Sequence, residues 1–440
     1  MLPRQANVSL LYNGANASGQ IAPYLASFQY TDVASGSSDK ISIQINDRDH
    51  KWIGAWFPQK GDLLQPTIQT FNWWADGQNS RFPCGTFRVD DFSFAGGPIR
   101  LSLDAVAVPA DNSGFKATKR TETYEKTTLQ EIGQAIADRS GISLFFDASD
   151  IAIQKVEQNN QNDCEFYCGL VEKFGLALKI YNSRIVVFSE GTYEAKKAKA
   201  VLTPADFEPG WSWNTQTTGT YTGVKYQYTN SDKNKTFTVT AGGGERILEC
   251  NEPADNLTEA TAIALAALNK ANRGMTTMSI TMMAMPGLIA SDCVEIRGLK
   301  RLSGKYFIEQ ITHSLGSGYK MALDLRLVEP LITEASSISC DFEKEKQGSQ
   351  SGGSSGGGSG STGPSTPSAP AGLPKKGELY TVTSDKKGYY TAAEAAAGSP
   401  LPGHPTGMCH PGTYWVFNVS GGMLNLSTVK TVPGNWINPG

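Results

Sequence analysis

Apolar and polar residues alternate along the first hundred positions of the chain, which is the pattern of strands that bury one face. Positions 41–45 have the sequence Ile-Ser-Ile-Gln-Ile, and positions 99–103 repeat the alternation with Ile, Leu and Leu. The dipeptide Asn13-Gly14 follows a similar run at 8–12 and is typical of a tight turn between paired strands. The pattern predicts one antiparallel barrel or sandwich at the start of the chain.

The spacing of the apolar residues changes after residue 120 to the three-and-four spacing of a helix. Thr128 and Glu131 have capping-box spacing and Gly141 supplies a left-handed stop, so an amphipathic helix is predicted between them. A second helix is predicted to begin near Asp163 and to end at Gly175. Strands are predicted at 142–146, 176–180 and 185–188. Together these elements predict a small α/β domain.

Strand-like alternation returns near Trp211 and continues to about residue 327, where four apolar residues alternate with charged or small ones. One helix interrupts this pattern. It is capped at Asn256, has Glu259 three residues later, and is stopped by Gly274. The segment predicts a second barrel that contains one helix.

The last hundred residues contain two segments of different composition. Residues 348–370 are almost wholly Gly, Ser, Thr and Pro, which lack the apolar groups needed to offset the entropy of ordering, so they predict a flexible tether. Later residues regain aromatic side chains and predict a small β-rich module.

The predicted fold class of the chain is therefore mainly β with an α+β insertion. The predicted domains are a first β-barrel at 1–115, an inserted α/β domain at 116–194, a second β-barrel with one helix at 195–335, a flexible Gly/Ser/Pro linker at 336–376 and a C-terminal module at 377–440.

Charge and composition exclude two classes of partner. The chain has 39 Lys and Arg against 42 Asp and Glu, and this formal net charge of -3 is too weak to gather nucleic acid. No apolar run reaches the ~18 residues of a membrane span, and the first nine residues lack the features of a signal peptide. Seven scattered cysteines without CxxC spacing favour reduced, mostly buried thiols. We expect synthesis in the cytoplasm, no nucleic-acid binding and no membrane span.

The sequence contains none of the common catalytic or nucleotide-binding motifs. It lacks a GxSxG nucleophile elbow, a P-loop, an HExxH zinc motif and a dinucleotide-binding fingerprint. Asp90 and Asp91 are neighbours, so on a regular strand they face opposite sides and cannot flank one bond as acid and base. We therefore expect no catalytic residue, no cofactor and no enzyme activity.

Three polar groups have metal binding as an alternative interpretation, and a structural role is favoured for each. Asp47, Asp49 and His50 directly follow a strand, where polar residues commonly form a turn. Cys164 and Cys168 lie four residues apart on a predicted helix without a nearby histidine, which favours packing in the core. Loop residues whose spacing matches no standard site form the third group: His404, Met408, Cys409 and His410. No metal is expected.

The terminal module contains aromatic residues on which sugar rings can stack. In so small a domain most of them must build the core, and binding of a glycan by one or two of them is the alternative. The candidate glycan-binding residues are Tyr389, Tyr390, Tyr414, Trp415 and Trp436.

Three sets of short motifs occur in a fixed order along residues 1–332. They are Lys60-Gly61-Asp62 followed by Gly85-Thr86-Phe87-Arg88-Val89-Asp90; the stretch Gln158 to Phe166, of the form Q-x-x-x-x-D-x-E-F; and Gly304-Lys305-Tyr306-Phe307-Ile308 followed by His313 and Gly318-Tyr319. With a β-rich start, an inserted α/β unit and a second β-rich segment, this order resembles the late control D family of phage tail hubs.

The resemblance implies a structural baseplate hub of a contractile phage tail or phage-tail-like particle. It implies a homotrimer that acts as an adaptor between the hexameric tail tube and the trimeric spike. The implied partners are the tail tube protein, the spike protein, and the baseplate wedge and other hub proteins. The implied place of synthesis is the bacterial cytoplasm, and the implied location is a virion tail or an extracellular or cytoplasmic phage-tail-like particle.

Two alternative functions stay open. Residues 412–418 and 432–440 resemble small C-terminal modules on tail proteins of phages from Gram-positive hosts, which implies cell-wall or glycan binding through this module. A peptidoglycan hydrolase is the other alternative, although the sequence shows no recognisable acid/base pair or metal triad. No spike β-helix or lysozyme-like domain is visible, which departs from hubs that fuse a spike or a hydrolase.

Overall fold

A computed structural model describes most of the chain as two compact units, Met1–Lys346 and Gln347–Gly440. The described residues are 2–107, 115–116, 118–182, 184–230, 235–342, 374–375, 377–400, 407–427 and 434–439. Of these, 49% lie in strands and 17% in helices, which confirms the mainly-β fold class. No sheet closes on itself within these ranges, so the two barrels stay a prediction. No helix in them is long and apolar enough to cross a membrane.

Unit 1 carries strands β1 to β23 and helices α1 to α5 among the described residues. The strands are β1 Gln5–Tyr12, β2 Ala15–Asn16, β3 Leu25–Val33, β4 Lys40–Asn46, β5 Leu63–Phe71, β6 Ser80–Pro83, β7 Phe87–Ala95, β8 Arg100–Ala107, β9 Lys119–Thr128, β10 Ser143–Asp147, β11 Ala152–Asn162, β12 Ala177–Tyr181, β13 Arg184–Phe188, β14 Ala200–Leu202, β15 Ser212–Thr215, β16 Gly223–Asn230, β17 Lys235–Gly242, β18 Ile247–Cys250, β19 Thr276–Met283, β20 Cys293–Ile296, β21 Gly304–Leu315, β22 Tyr319–Leu327 and β23 Ser337–Phe342. The helices are α1 Ser18–Ile21, α2 Leu129–Arg139, α3 Asp163–Lys173, α4 Glu190–Ala195 and α5 Leu257–Arg273.

The largest sheet of unit 1 joins strands from the first and second β-rich segments of the sequence. It has 14 strands in the order β15-β19-β22-β21-β3-β4-β8-β7-β5-β1-β2, with β14, β20 and β6 paired beside this path. The two halves meet where β3 and β21 pair antiparallel, with Gln310 opposite Val33 and Leu315 opposite Phe28. Strands of both predicted barrels therefore lie in one continuous sheet.

Alternating side chains bury one face of this large sheet, as the hydrophobic pattern predicts. Ile41, Ile43 and Ile45 of β4 are buried, and they lie beside the buried Leu101 and Leu103 of β8. The predicted turn after β1 is also confirmed, because both turn residues have the positive φ values, 48° and 81°, that suit a two-residue hairpin turn. Strand periodicity thus placed these residues correctly in the core.

The helices begin and end close to the predicted residues. The Thr128 hydroxyl accepts the Glu131 N–H at 3.2 Å, while the Glu131 carboxylate accepts the Thr128 N–H at 3.0 Å, which completes the capping box of α2. The Asn256 side chain caps α5 by accepting the N–H of Glu259 at 2.9 Å. Gly141, just beyond α2, has a φ of +64°, which a residue with a side chain rarely adopts.

A second core forms where helices cover two smaller sheets. These sheets are β10-β13-β12 and β18-β16-β17-β23. Helix α5 packs on β16 and β17, and α3 contacts both α5 and β12. Buried residues of all these elements, such as Leu170, Ile185, Tyr226 and Leu268, form one continuous cluster. The strands of the predicted second barrel are therefore divided between the large sheet and this second core.

Strands β9 and β11 form a two-stranded antiparallel ribbon that the hydrophobic pattern does not predict. Most of their side chains are polar and exposed, and the register shifts between Gln158 and Gln161. Few of the ribbon's residues are apolar, so period-two patterning of apolar residues cannot reveal it.

Strand β7 contains another register shift, at Asp90. It interrupts the alternation that was expected to place Asp90 and Asp91 on opposite faces, and both side chains are exposed.

The chain is still in a strand past the predicted start of the linker at 336. Strand β23 pairs with β17, with Ile338 opposite Val239 and Cys340 opposite Phe237. The beginning of the predicted linker, residues 337–342, is therefore part of unit 1. Residues 343–373, which hold its Gly/Ser-rich stretch, lie outside the described residues.

Unit 2 is a small β-rich module. Its strands are β24 Leu379–Val382, β25 Lys386–Gly388, β26 Gly407–Cys409, β27 Gly412–Ser420, β28 Met423–Ser427 and β29 Asn435–Ile437, and its helix is α6 Ala392–Ala397. One sheet has the order β24-β27-β28-β29, and β25 pairs with β26. Val382, Val416, Leu424, Leu426 and Ile437 form its buried core.

Candidate assembly surface

The motif at residues 158–166 forms a buried polar cluster at the start of α3. Asp163 is 0% exposed and accepts hydrogen bonds from the Gln158 amide at 2.9 Å and from the Arg139 guanidinium at 3.2 Å. Arg120 lies 3.6 Å from the same carboxylate. Because a buried charge is tolerated only when it is paired, this cluster fixes the β9–β11 ribbon against α2 and α3. The motif is structural in this chain.

The Asp62 carboxylate organises the turn that precedes β5. It accepts hydrogen bonds from the Tyr12 hydroxyl at 2.5 Å, from the Asn13 amide at 2.9 Å and from the Gln59 backbone N–H at 2.8 Å. Burial would raise the pKa of Asp62, but these hydrogen bonds outweigh it and hold the pKa below its usual range. Gly61, with a φ of +88°, provides the left-handed backbone of the turn.

His313 and Tyr319, the last motif, pack together inside the large sheet. Nδ1 of His313 and the Tyr319 hydroxyl are 2.8 Å apart, and both side chains are buried. The imidazole ring also stacks on Tyr30, with ring centroids 5.5 Å apart. Burial lowers the pKa of His313 to about 4, so this ring is neutral at physiological pH.

The polar residues after β4 form the turn that their position predicts. Asp47 is buried, and its two carboxylate oxygens accept the backbone N–H groups of Trp52 at 3.1 Å and Ile53 at 2.9 Å. Asp49 accepts a 2.5 Å hydrogen bond from the Tyr24 hydroxyl. The described part of the chain contains no group of three or more His, Cys, Asp or Glu residues placed to hold a metal ion.

The cysteine pair on α3 packs against the second core. The Sγ atoms of Cys164 and Cys168 are 4.0 Å apart, and both side chains are partly buried. Their mutual hydrogen bond lowers the pKa of Cys164 and raises that of Cys168. Of the loop residues in unit 2, Cys409 is buried, and Nδ1 of His410 lies 2.9 Å from the exposed Asp385 carboxylate. His404 lies outside the described residues.

Two buried ion networks connect the large sheet to the rest of unit 1. Lys179 of β12 contacts the carboxylates of Asp32 and Asp39, the latter at 3.2 Å. Burial would lower the pKa of Lys179, but these two carboxylates together raise it above its ordinary value. In the second network, Arg326 of β22 binds Glu194 at 2.5 Å and Glu190 at 3.2 Å, both on α4.

Both ends of the large sheet carry strand edges without a partner strand in the described ranges. On the edge of β1 that faces away from β5, Leu10 accepts the Ala17 N–H at 3.0 Å and donates its own N–H to the Ser18 hydroxyl at 3.0 Å. Because backbone groups alternate in an antiparallel ladder, Ala6 and Val8 direct their N–H and C=O groups to the same edge. At the opposite end, β15 pairs with β19 alone. Unpaired edges are templates for strand addition from another chain.

The segment 47–62, here called the aromatic loop, presents a rigid aromatic surface. The rings of Trp52 and Trp56 meet edge to face with centroids 5.7 Å apart, and Trp56 meets Tyr24 in the same way at 6.2 Å. The Lys51 ammonium lies over Trp56, 5.0 Å from its centroid. These contacts hold the loop in one conformation. The sequence analysis missed this surface, although the run Trp-Ile-Gly-Ala-Trp-Phe at 52–57 carries the signal.

Two large apolar side chains of the aromatic loop are exposed. Ile53 is 47% exposed and Phe57 is 52% exposed. Phe57 stacks on Phe94 of β7 with ring centroids 5.7 Å apart and meets Phe92 edge to face at 5.5 Å. Aromatic side chains that protrude from a rigid support are typical of contact surfaces in assemblies.

The five candidate glycan-binding residues of unit 2 occupy different environments. Tyr389 is buried and donates a hydrogen bond to the Gly398 carbonyl at 2.8 Å, while Tyr414 is half-buried against the core. Trp415 and Trp436 alternate with the buried Val416 and Ile437, which places both indoles on the other side of the sheet. Tyr390 is 63% exposed. The structure thus separates two core tyrosines from three aromatic residues outside the core.

The fold of the chain is similar to those of solved phage tail proteins. A tail protein from Neisseria meningitidis aligns with a TM-score of 0.56 at 13% identity, over 73% of this chain and 96% of that one. The 43 kDa tail protein of prophage MuSo2 from Shewanella oneidensis aligns with a TM-score of 0.56 at 14% identity, over 73% of this chain and 98% of that one. This chain has the fold of these tail proteins.

The remaining comparisons add no further evidence on the fold. A component of the E. coli type VI secretion system aligns with a TM-score of 0.43 at 10% identity, over 89% of this chain and 92% of that one. No family model and no curated protein matches the chain. The comparisons therefore establish the tail-protein fold.

Proposed function

We propose that this chain is a structural baseplate hub of a phage tail or phage-tail-like injection particle. In this role it forms a homotrimer that joins the hexameric tail tube to the trimeric spike, without enzyme activity. The fold shared with two tail proteins supports a tail component. The pairing of β3 with β21, which joins two half-sheets of one chain, is the observation that carries the adaptor role.

Symmetry explains why two joined half-sheets suit an adaptor. Residues 5–107 supply β1 to β8, and residues 200–327 supply β14, β15 and β19 to β22. Three copies of a chain with two such halves present six similar edges to a six-fold tube, while the trimer keeps the three-fold symmetry of a spike. A homotrimer therefore matches both neighbours with one kind of subunit.

The unpaired strand edges suggest how the ring is built. The edge of β1 at Ala6 and Val8, beyond its short pairing with β2, and the free edge of β15 lie at opposite ends of the same sheet. When one edge meets the other on the next copy, the contact is heterologous and repeats around a closed ring. Backbone hydrogen bonds would then continue the sheet across each subunit boundary.

Light scattering on the full chain tests the oligomeric state, and one substitution tests the edge. We expect a solution mass near three chains. Val8→Pro removes a backbone N–H that faces the free edge of β1, so it should reduce the mass to one chain while circular dichroism stays strand-like. Val8→Thr keeps that N–H and should remain trimeric. A monomer at high concentration, alone and mixed with spike protein, would exclude the adaptor role.

A second candidate function rests on unit 2. Trp415 and Trp436 share one side of its sheet, and the exposed Tyr390 lies outside its core. Aromatic faces of this kind stack on sugar rings, so this module is a candidate for binding cell-wall glycan. Retention of the full chain on purified cell wall should fall in the variant Trp415→Ala/Trp436→Ala. Equal retention of both proteins would exclude these two residues.

A further inference from the structure

A cleft opens between the aromatic loop and the turn that follows β1. Its volume is about 480 Å³, within the range of ~300 to 1,000 Å³ found for small-molecule sites. Trp52, Trp56 and Phe57 of the aromatic loop line it, together with Gln20 and Gln59. The cleft therefore combines aromatic rings with carboxamides in one concave surface.

The aromatic part of the cleft is preorganised. Trp56 is held between Trp52, with ring centroids 5.7 Å apart, and Tyr24, with centroids 6.2 Å apart. The Asp47 carboxylate fixes the backbone of Trp52 through a 3.1 Å hydrogen bond. These rings are therefore already ordered in the folded protein, and a ligand that stacks on them would not have to order them on binding.

The polar part of the cleft has unused hydrogen-bonding capacity. Gln20 and Gln59 are exposed, and their side-chain amides have no hydrogen-bond partner among the described residues. These two amides can therefore both donate to and accept from a ligand that enters the cleft.

The charge of the cleft restricts the class of ligand. Among the described residues of its lining, Asp62 is the only carboxylate, and its oxygens accept hydrogen bonds from Tyr12, Asn13 and the Gln59 backbone. No Lys or Arg of this described lining borders the cleft. A phosphate or a carboxylate would find no cation there, so the lining favours a neutral ligand.

We propose that this cleft binds a neutral saccharide. A pyranose ring offers an apolar C–H face for Trp56 and hydroxyl groups that donate to and accept from the amides of Gln20 and Gln59. An apolar side chain of a protein would fill the aromatic part but would leave both carboxamides unpaired.

The full chain is tested against four probes, glucose, galactose, mannose and N-acetylglucosamine, by saturation-transfer NMR and by tryptophan fluorescence. At least one sugar is expected to bind with a Kd in the millimolar range. The variant Gln20→Ala/Gln59→Ala changes only exposed, unpaired side chains and should weaken binding about tenfold. Trp56→Ala should abolish it.

Two matched controls locate the site. Ile53→Ala alters an exposed residue of the aromatic loop that does not line the cleft, and Trp415→Ala/Trp436→Ala alters the candidate surface of unit 2. Both should bind the sugar within about twofold of the unaltered chain. Binding that survives Gln20→Ala/Gln59→Ala, binding that disappears with the unit 2 variant, or no binding of any probe would overturn the proposal.

Light scattering on the same variants shows whether the cleft is occupied by a sugar or by a second copy of the chain. If Phe57→Ala or Gln20→Ala/Gln59→Ala changes the solution mass, the cleft is a subunit contact and the saccharide proposal is wrong. An unchanged mass together with weakened sugar binding supports it. The test does not depend on whether the chain is a trimer.

Discussion

The side-chain amide of Gln158 donates a 2.9 Å hydrogen bond to Oδ1 of Asp163, and both residues are fully buried. They stand five positions apart in a motif that resembles one of a tail-hub family, with Gln158 on β11 and Asp163 at the first position of α3. The hydrogen bond explains the spacing, because the amide must reach the carboxylate across the end of the ribbon. The motif thus marks a structural joint between β11 and α3.

Asp163→Asn should destabilise unit 1 by about 3 kcal/mol or more, because it removes the buried countercharge of Arg139. Glu122→Gln removes the other carboxylate that binds Arg139, at 2.8 Å on the surface, and should cost only about 0–1 kcal/mol. Urea unfolding of the two variants measures both values. Equal losses of stability would show that burial does not set the strength of these pairs.

Gly133→Ala should destabilise the protein although alanine is the better helix former. An added Cβ would lie 2.1 Å from the Tyr167 hydroxyl, which donates a 3.0 Å hydrogen bond to the Leu129 carbonyl. The clash should outweigh the helix propensity gain of about 1 kcal/mol and give a net loss of ~1–3 kcal/mol.

Thermal unfolding measures the effect of Gly133→Ala, and Tyr167→Phe serves as its partner in a double-mutant cycle. The alanine substitution should cost less in the Tyr167→Phe background, because the nearest clashing atom is gone. Additive losses in the double variant would contradict this explanation.

His313 should make the stability of unit 1 depend on pH between 6.5 and 4. The folded state holds the pKa of the buried ring at about 4, against an ordinary value of 6.5. Above pH 6.5 the ring is neutral in both states; as the pH falls, the unfolded chain binds a proton that the folded chain does not, so stability declines and the loss is complete below pH 4. The loss amounts to ~3 kcal/mol.

His313→Phe tests this assignment, since a phenyl ring keeps an aromatic side chain among the aromatic neighbours of His313 and does not titrate. The free energy of unfolding of the variant, measured by urea at several pH values, should change less between pH 6.5 and 4 than that of the unaltered chain. The test compares the slopes of the free energy of unfolding against pH. A constant loss of stability from the missing Tyr319 hydrogen bond therefore does not affect it. Parallel curves would assign the acid sensitivity to other groups.

Lys179→Met should destabilise unit 1 by about 3–5 kcal/mol at pH 8, because two buried carboxylates lose the cation that they share. Burial already raises the pKa of Asp39 to about 6. Without Lys179 that pKa should rise further, and a raised carboxyl pKa gives stability that is present at low pH and lost as the pH rises. The variant should therefore lose less stability at pH 5 than at pH 8.

Asp39→Asn in the Lys179→Met background provides the control for the charge argument. The amide keeps the shape of the carboxyl group but carries no charge, so the double variant should be more stable than Lys179→Met at pH 8. Chemical unfolding at the two pH values compares all three proteins. A double variant that is as unstable as Lys179→Met at pH 8 would assign the loss to packing.

The local pattern predicted the strands and helices whose side chains follow one period. Ile41, Ile43 and Ile45 lie in the core because strand alternation and burial coincide there, and Asn256 caps α5 because its side chain acts on the next three residues. The pairing of strands that are distant in the sequence has no such local pattern. Period-two patterning does not say which edge β3 meets, so the union with β21 could not be derived from it.

The candidate sites could likewise be predicted by residue type but not by their arrangement in space. The five aromatic residues of unit 2 were chosen by type, and only the structure separates Tyr389 and Tyr414, which serve the core, from the others. The aromatic loop escaped notice because Trp52 and Trp56 form a concave wall only when β1 and its turn lie opposite. Composition reveals aromatic residues, whereas concavity depends on tertiary structure.

The pairing of β3 with β21 sets an order of events during synthesis. Thr31 and Thr312 face each other across this pair although 281 positions separate them in the chain. At ~5–20 residues per second, a ribosome needs roughly 15–60 s to travel that distance, and throughout this time one side of β3 has no neighbour. A nascent chain therefore carries an open hydrogen-bonding edge until its last third emerges, and a polypeptide truncated before residue 304 would carry it permanently and should aggregate.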